Sequence, residues 1–258
     1  LSDISHVEGS VHPLRDVEII NAELALADLE TIEKRINNLQ KDTRRGDKDA
    51  LKEEEILKRA LPIVNEGKLL SSVKWSEEEM LVLKKLTLLS TKPILYILNK
   101  SHGAKNIDET DPKFQELAKY IKETNSQYVI VDAKVENDLK DFDGEEKSIF
   151  RAELAGNADH DGISDLIKSA YKLLGLETYF TTGETETRAW TIPKSSTAPV
   201  AGMAIHTDFK DKFIKAEVIN WDTLLEAGSF ANAKATGKLR TEGKDYIVTD
   251  GDVIEFKV

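Results

Sequence analysis

Pro93-Ile94-Leu95-Tyr96-Ile97-Leu98-Asn99-Lys100 is a continuous apolar run that ends in an amide and a cation. Its length and its β-branched and aromatic content predict a strand covered on both faces, as in a parallel sheet. Ligands of such sheets sit outside the carboxyl ends of the strands, so Asn99-Lys100 stands where a purine base can be read. The phosphate half of such a site is not in the sequence. Gly67-Lys68-Leu69, Gly237-Lys238-Leu239 and Gly243-Lys244-Asp245 lack the Ser/Thr and the upstream Gly of a phosphate-binding loop, and no G-x-G-x-x-G occurs.

On the N-terminal side, Ser76-Glu77-Glu78-Glu79 carries the capping-box pattern. It predicts a helix through Leu81, Leu83, Leu86 and Leu89 that stops before Pro93. Further upstream, Ile19, Ile20, Leu24, Ala27, Leu29, Ile32, Ile36 and Leu39 recur at helical spacing from Val17 onward. After the break Thr43-Arg44-Arg45-Gly46-Asp47, Ala50, Leu51, Ile56, Leu57, Ala60, Leu61 and Val64 resume the period, predicting an antiparallel helical pair. Lys41, Arg44, Arg45 and Lys48 make its tip either a solvated surface or a contact for RNA or a partner.

On the C-terminal side, Asp111-Pro112 opens a helix carrying Phe114, Leu117, Ala118 and Ile121, and Tyr128-Val129-Ile130-Val131 is a second buried strand. This β-α-β order implies parallel strands with a right-handed crossover. A helix from Ile163 to Leu174 ends at Gly175. From Thr178 the texture changes to short strands. Residues 178–181 and 188–192 flank a hairpin turn, Ile214–Val218 is a strand, and a helical stretch lies near Trp221 to Leu225. Tyr246–Val248 and Val253–Phe256 are expected to form a second hairpin around Asp250-Gly251. The segment reads as a separate α+β domain.

The 258 residues, 40% hydrophobic and 32% charged, suit a folded chain, and the net charge of −11 argues against a surface that tracks nucleic acid throughout. The absence of cysteine excludes disulfides and thiolate metal sites. No apolar run has membrane-spanning length and Leu1-Ser2-Asp3-Ile4 is not a signal peptide, so a cytoplasmic location with no membrane partner is the expectation. A first residue other than Met leads to the expectation that the segment belongs to a longer protein. His6, His12, His102, His160 and His206 form no H-E-x-x-H or similar metal spacing, and no G-x-S-x-G elbow is present. Asn99-Lys100 resembles the start of the N-K-x-D motif of GTPases. The fourth position is His102, which cannot accept the two hydrogen bonds that guanine offers a carboxylate.

Long stretches carry a family resemblance. His6–Val11 and Asp16–Glu30, then Lys92–Tyr96, Tyr179–Gly183, Thr187–Ile192, Ile205–Phe209, Phe213–Val218 and Gly243–Val248 resemble the YchF family of Obg-like P-loop ATPases. The resemblance implies an α/β fold: a partial doubly wound P-loop NTPase domain (1–16 and 91–175), an inserted antiparallel helical arm (17–90) and a C-terminal β-grasp TGS domain (176–258). It implies ATP with Mg²⁺ as cofactors of the intact protein, whose phosphate-binding and metal-binding residues lie upstream of Leu1. The intact protein then resembles an ATPase, with GTP hydrolysis as an additional activity. The implied base-side residues are Asn99, Lys100 and Ser101 of one loop and Ala133 and Lys134 of the next. Lys100 and His102 depart from the N-x-x-E pattern of the family, so base preference is not assigned. The implied partner is the ribosome, through its large subunit, or RNA, with candidate contacts Arg188, Lys194, Lys210, Lys212, Lys215, Lys238 and Arg240 interleaved with Trp190, Phe209 and Phe213. The other reading is a nucleotide-independent ribosome- or RNA-binding module without catalysis.

Overall fold

The computed structural model describes residues 12–100, 110–124, 126–155, 162–183 and 185–258. They fall into two compact units, one up to Leu166 and one comprising Ile167–Val258.

In the first unit, α1 (Pro13–Arg44) and α2 (Lys48–Asn65) form the predicted helical pair around the turn at Gly46. α1 begins four residues before the expected Val17, because Pro13 sits in its first turn and the His12 ring accepts the Arg15 N–H. Ala25, Ile32 and Leu39 of α1 pack against Ile56, Leu57, Ala60 and Val64 of α2. Full burial of side chains such as Ile32 and Leu57 is worth roughly 2 kcal/mol each. Arg35 and Glu53 bridge the pair through two hydrogen bonds of 2.6 and 2.9 Å. The capping box at Ser76 and Glu79 starts α3 (Glu77–Lys85), which ends earlier than expected: Thr87 takes a positive φ of 53° and breaks the helix before Leu89.

β1 (Leu95–Asn99), α4 (Pro112–Glu123) and β2 (Gln127–Val131) form the predicted β-α-β unit, with β1 and β2 parallel. Val17 of α1 and Leu117 and Ile121 of α4 cover Tyr96 and Leu98. Asn21, almost fully buried, donates to the hydroxyls of Tyr96 and Tyr120 at 2.9 and 3.0 Å, tying α1 to β1 and α4. The strand was expected to be covered on both faces. Ile97 is instead 54% exposed, because among the described residues only the Tyr96 and Leu98 side of β1 receives a packed helix. Three helices follow: α5 (Ala133–Asp138), α6 (Gly144–Ala155) and α7 (Gly162–Leu174).

The second unit is a five-stranded mixed sheet. Its elements in chain order are β3 (Leu176–Thr182), β4 (Thr187–Pro193), α8 (Ala198–Gly202), α9 (Asp208–Asp211), β5 (Lys215–Asn220), α10 (Trp221–Ala227), α11 (Phe230–Ala235), β6 (Arg240–Glu242) and β7 (Asp252–Lys257). The strand order is β4-β3-β7-β5-β6, with β3 and β7 parallel and the other neighbours antiparallel. One face packs Tyr179, Ile192, Val218 and Ile254 against Ala198 and Ala201 of α8; the other packs Phe180, Ile219 and Val253 against Ala233 and Phe230 of α11. β3 and β4 pair antiparallel from Leu176 opposite Pro193 to Thr182 opposite Thr187, as the predicted hairpin requires.

The hairpin expected around Asp250-Gly251 does not form. Residues 246–248 bond instead to 196–198, with Ala198 N donating to Tyr246 O and Val248 N to Ser196 O. The carboxylate of Asp252, 1% exposed, accepts from Tyr246 Oη, Thr249 N and Thr249 Oγ1, which folds the 246–252 segment back on itself. β7 is thereby delivered between β3 and β5.

Candidate functional site

β1 and β2 run in register from Leu95 opposite Gln127 to Asn99 opposite Val131, and Lys100 N extends the pairing by donating to Val131 O at 2.8 Å. Both strands therefore release their loops at the same edge of the sheet. At the end of β2, Asp132 caps α5: its carboxylate accepts from Lys134 N and Val135 N, each at 3.1 Å. The remaining first-turn N–H, that of Ala133, donates across to Asn99 Oδ1 at 3.2 Å. One side chain from β1 and one from the β2 loop thus satisfy the start of a single helix.

This geometry assigns orientation to the Asn99 amide. Its oxygen accepts the Ala133 N–H, which holds the amide between the two loops. Asn99, Lys100, Ala133 and Lys134 are all exposed, whereas Val135 and Glu136 of the following turn are buried. Of the expected base-side residues, the structure brings Asn99, Lys100, Ala133 and Lys134 to one edge; Ser101 lies outside the described residues, as do His102 and His160.

The underside of this edge holds a charged pair that the sequence reading missed. Glu136 of α5 and Arg151 of α6 are at least nine-tenths buried and meet through two hydrogen bonds, Nη1 to Oε1 at 2.5 Å and Nη2 to Oε2 at 3.1 Å. Gly162 N, at the start of α7, donates to Glu136 Oε1 at 3.2 Å. A Cβ on Gly162 would lie 3.3 Å from both Val131 Cα and Glu136 Oε1, so glycine lets α7 approach β2 this closely. The signal available in sequence was a Glu and an Arg on opposite sides of a Gly-containing turn, too common a pattern to select.

The basic candidates of the second unit do not form an open cationic face. Lys194 pairs with Glu177 at 3.6 Å, Lys215 with Glu217 at 3.6 Å, Lys238 with Glu226 at 3.2 Å, Arg240 with Glu242 at 3.4 Å, and Lys212 with Asp208. Salt bridging holds the Asp208 carboxyl below, and the Lys212 ammonium above, its ordinary range. Arg188 lies 4.3 Å from the centre of the Trp190 ring, a cation–π arrangement on β4. Lys210 is exposed on α9. Phe213 is buried in the core and Trp190 packs against it, while the ring of Phe209 stands edge-on to Phe256, so these aromatics serve packing. Among the described residues no cluster of three or more His, Cys, Asp or Glu could hold a metal ion, and no helix is long and apolar enough to cross a membrane.

The ribosome-binding ATPase YchF of Bacillus subtilis (strain 168) is 43% identical over 255 residues, covering 99% of this chain and 69% of that protein. The chain belongs to the YchF family of Obg-like ATPases. The Obg-like ATPase 1 of Gallus gallus is 38% identical over 99% of this chain and 65% of that protein. The structure of the Schizosaccharomyces pombe YchF GTPase superposes with a TM-score of 0.83 at 32% identity, covering 99% of this chain and 68% of that one. Residues 176–258 match the family model described as YchF-GTPase_C, a protein of unknown function (DUF933). The YchF resemblance read from Tyr179–Gly183 and the other motifs is thus borne out, as is the mixed α/β fold.

Proposed function

We propose that this chain is the base-recognition, helical-arm and TGS portion of a ribosome-associated Obg-like P-loop ATPase. Residues 91–175, with 1–16, belong to its nucleotide domain, 17–90 form the arm and 176–258 the TGS domain. The observation that carries the reading is the 3.2 Å bond between Ala133 N and Asn99 Oδ1, which joins two loops at the carboxyl ends of parallel strands, the place where α/β proteins read a nucleotide. Asn99 positions the second loop beside the base; Lys100 and Lys134 flank it with positive charge and alkyl stems.

ATP fits these residues on its base side alone. Its phosphates call for the phosphate-binding loop of the intact protein, which supplies the positioning and electrostatic stabilisation of phosphoryl transfer. Mg²⁺ does not fit the described residues, which offer it no acidic cluster.

The names of the relatives support the ribosome as partner, and Arg188 and Lys210 are the contacts least committed to acids within the domain. With five of the seven candidate cations already ion-paired, few counterions are released on binding, so the salt dependence is expected to be shallow. Titration of this chain and of the intact protein with ATP tests the nucleotide reading. The expected result is tight binding by the intact protein alone; micromolar binding by the chain would contradict the division of the site. Cosedimentation with ribosomes at several salt concentrations tests the partner. Pelleting of the chain supports it, and no pelleting at low salt counts against it.

A further inference from the structure

We infer that Glu136 and Arg151 are positioning residues for base recognition, a role that rests on the proposed base site. The Asn99–Ala133 bond takes its geometry from the placement of α5. Ala133 is the first residue of a six-residue helix, which is too short to hold its own direction by backbone hydrogen bonding. Two things fix α5. Val135 packs into the interior, which sets its depth, and Glu136 is clamped by both arms of the Arg151 guanidinium and by Gly162 N, which sets its rotation. A bidentate pair is directional where an apolar contact is not.

Glu136 lies three residues after Ala133, one helical turn below it, so a rotation of α5 at Glu136 moves the Ala133 N–H off Asn99. Arg151 comes from α6 and Gly162 from α7, so three elements converge on one carboxylate behind the exposed loop. Burying a full ion pair is a poor way to gain stability compared with apolar packing of the same volume. Its use here is geometric: it holds the loop that faces the base.

The prediction is specific to the base. In the intact protein, Arg151→Met weakens ATP binding about tenfold and leaves the affinity for inorganic tripolyphosphate unchanged, so the ratio of the two falls about tenfold. Arg151→Lys, which keeps one charged hydrogen bond, restores part of the ratio. Because Arg151→Met strands a buried carboxylate, the double variant Glu136→Leu with Arg151→Met, which removes both charges, is measured beside it and shows the same fall. Phe150→Leu, which loosens α6 at the Phe142–Phe150 contact, lowers stability without moving the ratio. An unchanged ratio in the folded double variant, or an equal fall with Phe150→Leu, overturns the inference. Asn99→Ala separates the two readings: if it lowers the ratio and the Arg151 variants do not, positioning alone fails; if it also leaves the ratio unchanged, the base site itself fails.

Discussion

The carboxylate of Asp28 in α1 accepts both the backbone N–H and the hydroxyl of Ser90, at 2.7 and 2.5 Å, and both residues are buried. It also accepts Leu89 N at 2.8 Å. The strand entering the candidate site is thus moored to the long helix just before Pro93. Asp28→Ala leaves these donors without their partner and is expected to destabilise the chain by about 3 kcal/mol, whereas Ser90→Ala removes one bond and costs about 1 kcal/mol. Urea denaturation of the variants checks the order; equal costs would mean that the backbone bonds to Asp28 add nothing beyond the Ser90 hydroxyl.

Gly251 has φ +84°, and a Cβ there would come within 2.7 Å of Trp221 Cδ1. Gly251→Ala therefore combines left-handed backbone strain of about 1–2 kcal/mol with a steric conflict. Gly243, with open space around it, is expected to tolerate alanine within about 0.5 kcal/mol. Thermal melts of the two variants should differ clearly, and similar melts would contradict the turn geometry.

Tyr179 is fully buried and donates its hydroxyl to Ala201 O at 3.0 Å. Desolvation raises its ionisation well above the ordinary 10.0. The folded state then holds its proton where the unfolded chain releases it, so the stability contributed is fully present below pH 10.0 and is lost as pH rises beyond. Tyr246 shifts in the same direction, first through burial. Tyr179→Phe is expected to cost about 1 kcal/mol at neutral pH and to flatten the alkaline loss. Denaturation midpoints on either side of pH 10.0 measure this, and an unchanged alkaline slope would refute it.

Arg188 and Lys238 offer a matched contrast on the second unit. Arg188→Ala is expected to lower ribosome pelleting several-fold, while Lys238→Ala, which removes a cation already paired with Glu226, changes it little. Equal losses would show that domain charge, rather than a contact at Arg188, governs association.

The parts of the fold legible in sequence are those written in local chemistry. Ser76 and Glu79 form the capping box their spacing announced, Asp111 caps α4 before Pro112, and the apolar periods of α1 and α2 meet as read. The errors arise where distant partners decide. Tyr246–Val248 has strand composition, yet Ser196 and Ala198 claim its backbone and Asp252 claims the Tyr246 hydroxyl, so the expected hairpin is lost. The placement of Asn99 and Lys100 at the carboxyl end of a parallel strand was legible because strand composition is local. That Asn99 would bond Ala133, and that Glu136 would find Arg151, depends on the juxtaposition of β1 with β2 and α5 with α6.

The most direct measurement of the central claim is the affinity of the intact protein for ATP and for inorganic tripolyphosphate, with and without Asn99→Ala. A base-side wall built on the Asn99–Ala133 bond predicts that ATP binding weakens about tenfold, the loss of about 1.4 kcal/mol expected for one base-directed hydrogen bond, with tripolyphosphate unaffected. If both ligands weaken equally, or neither does, Asn99 does not read the base.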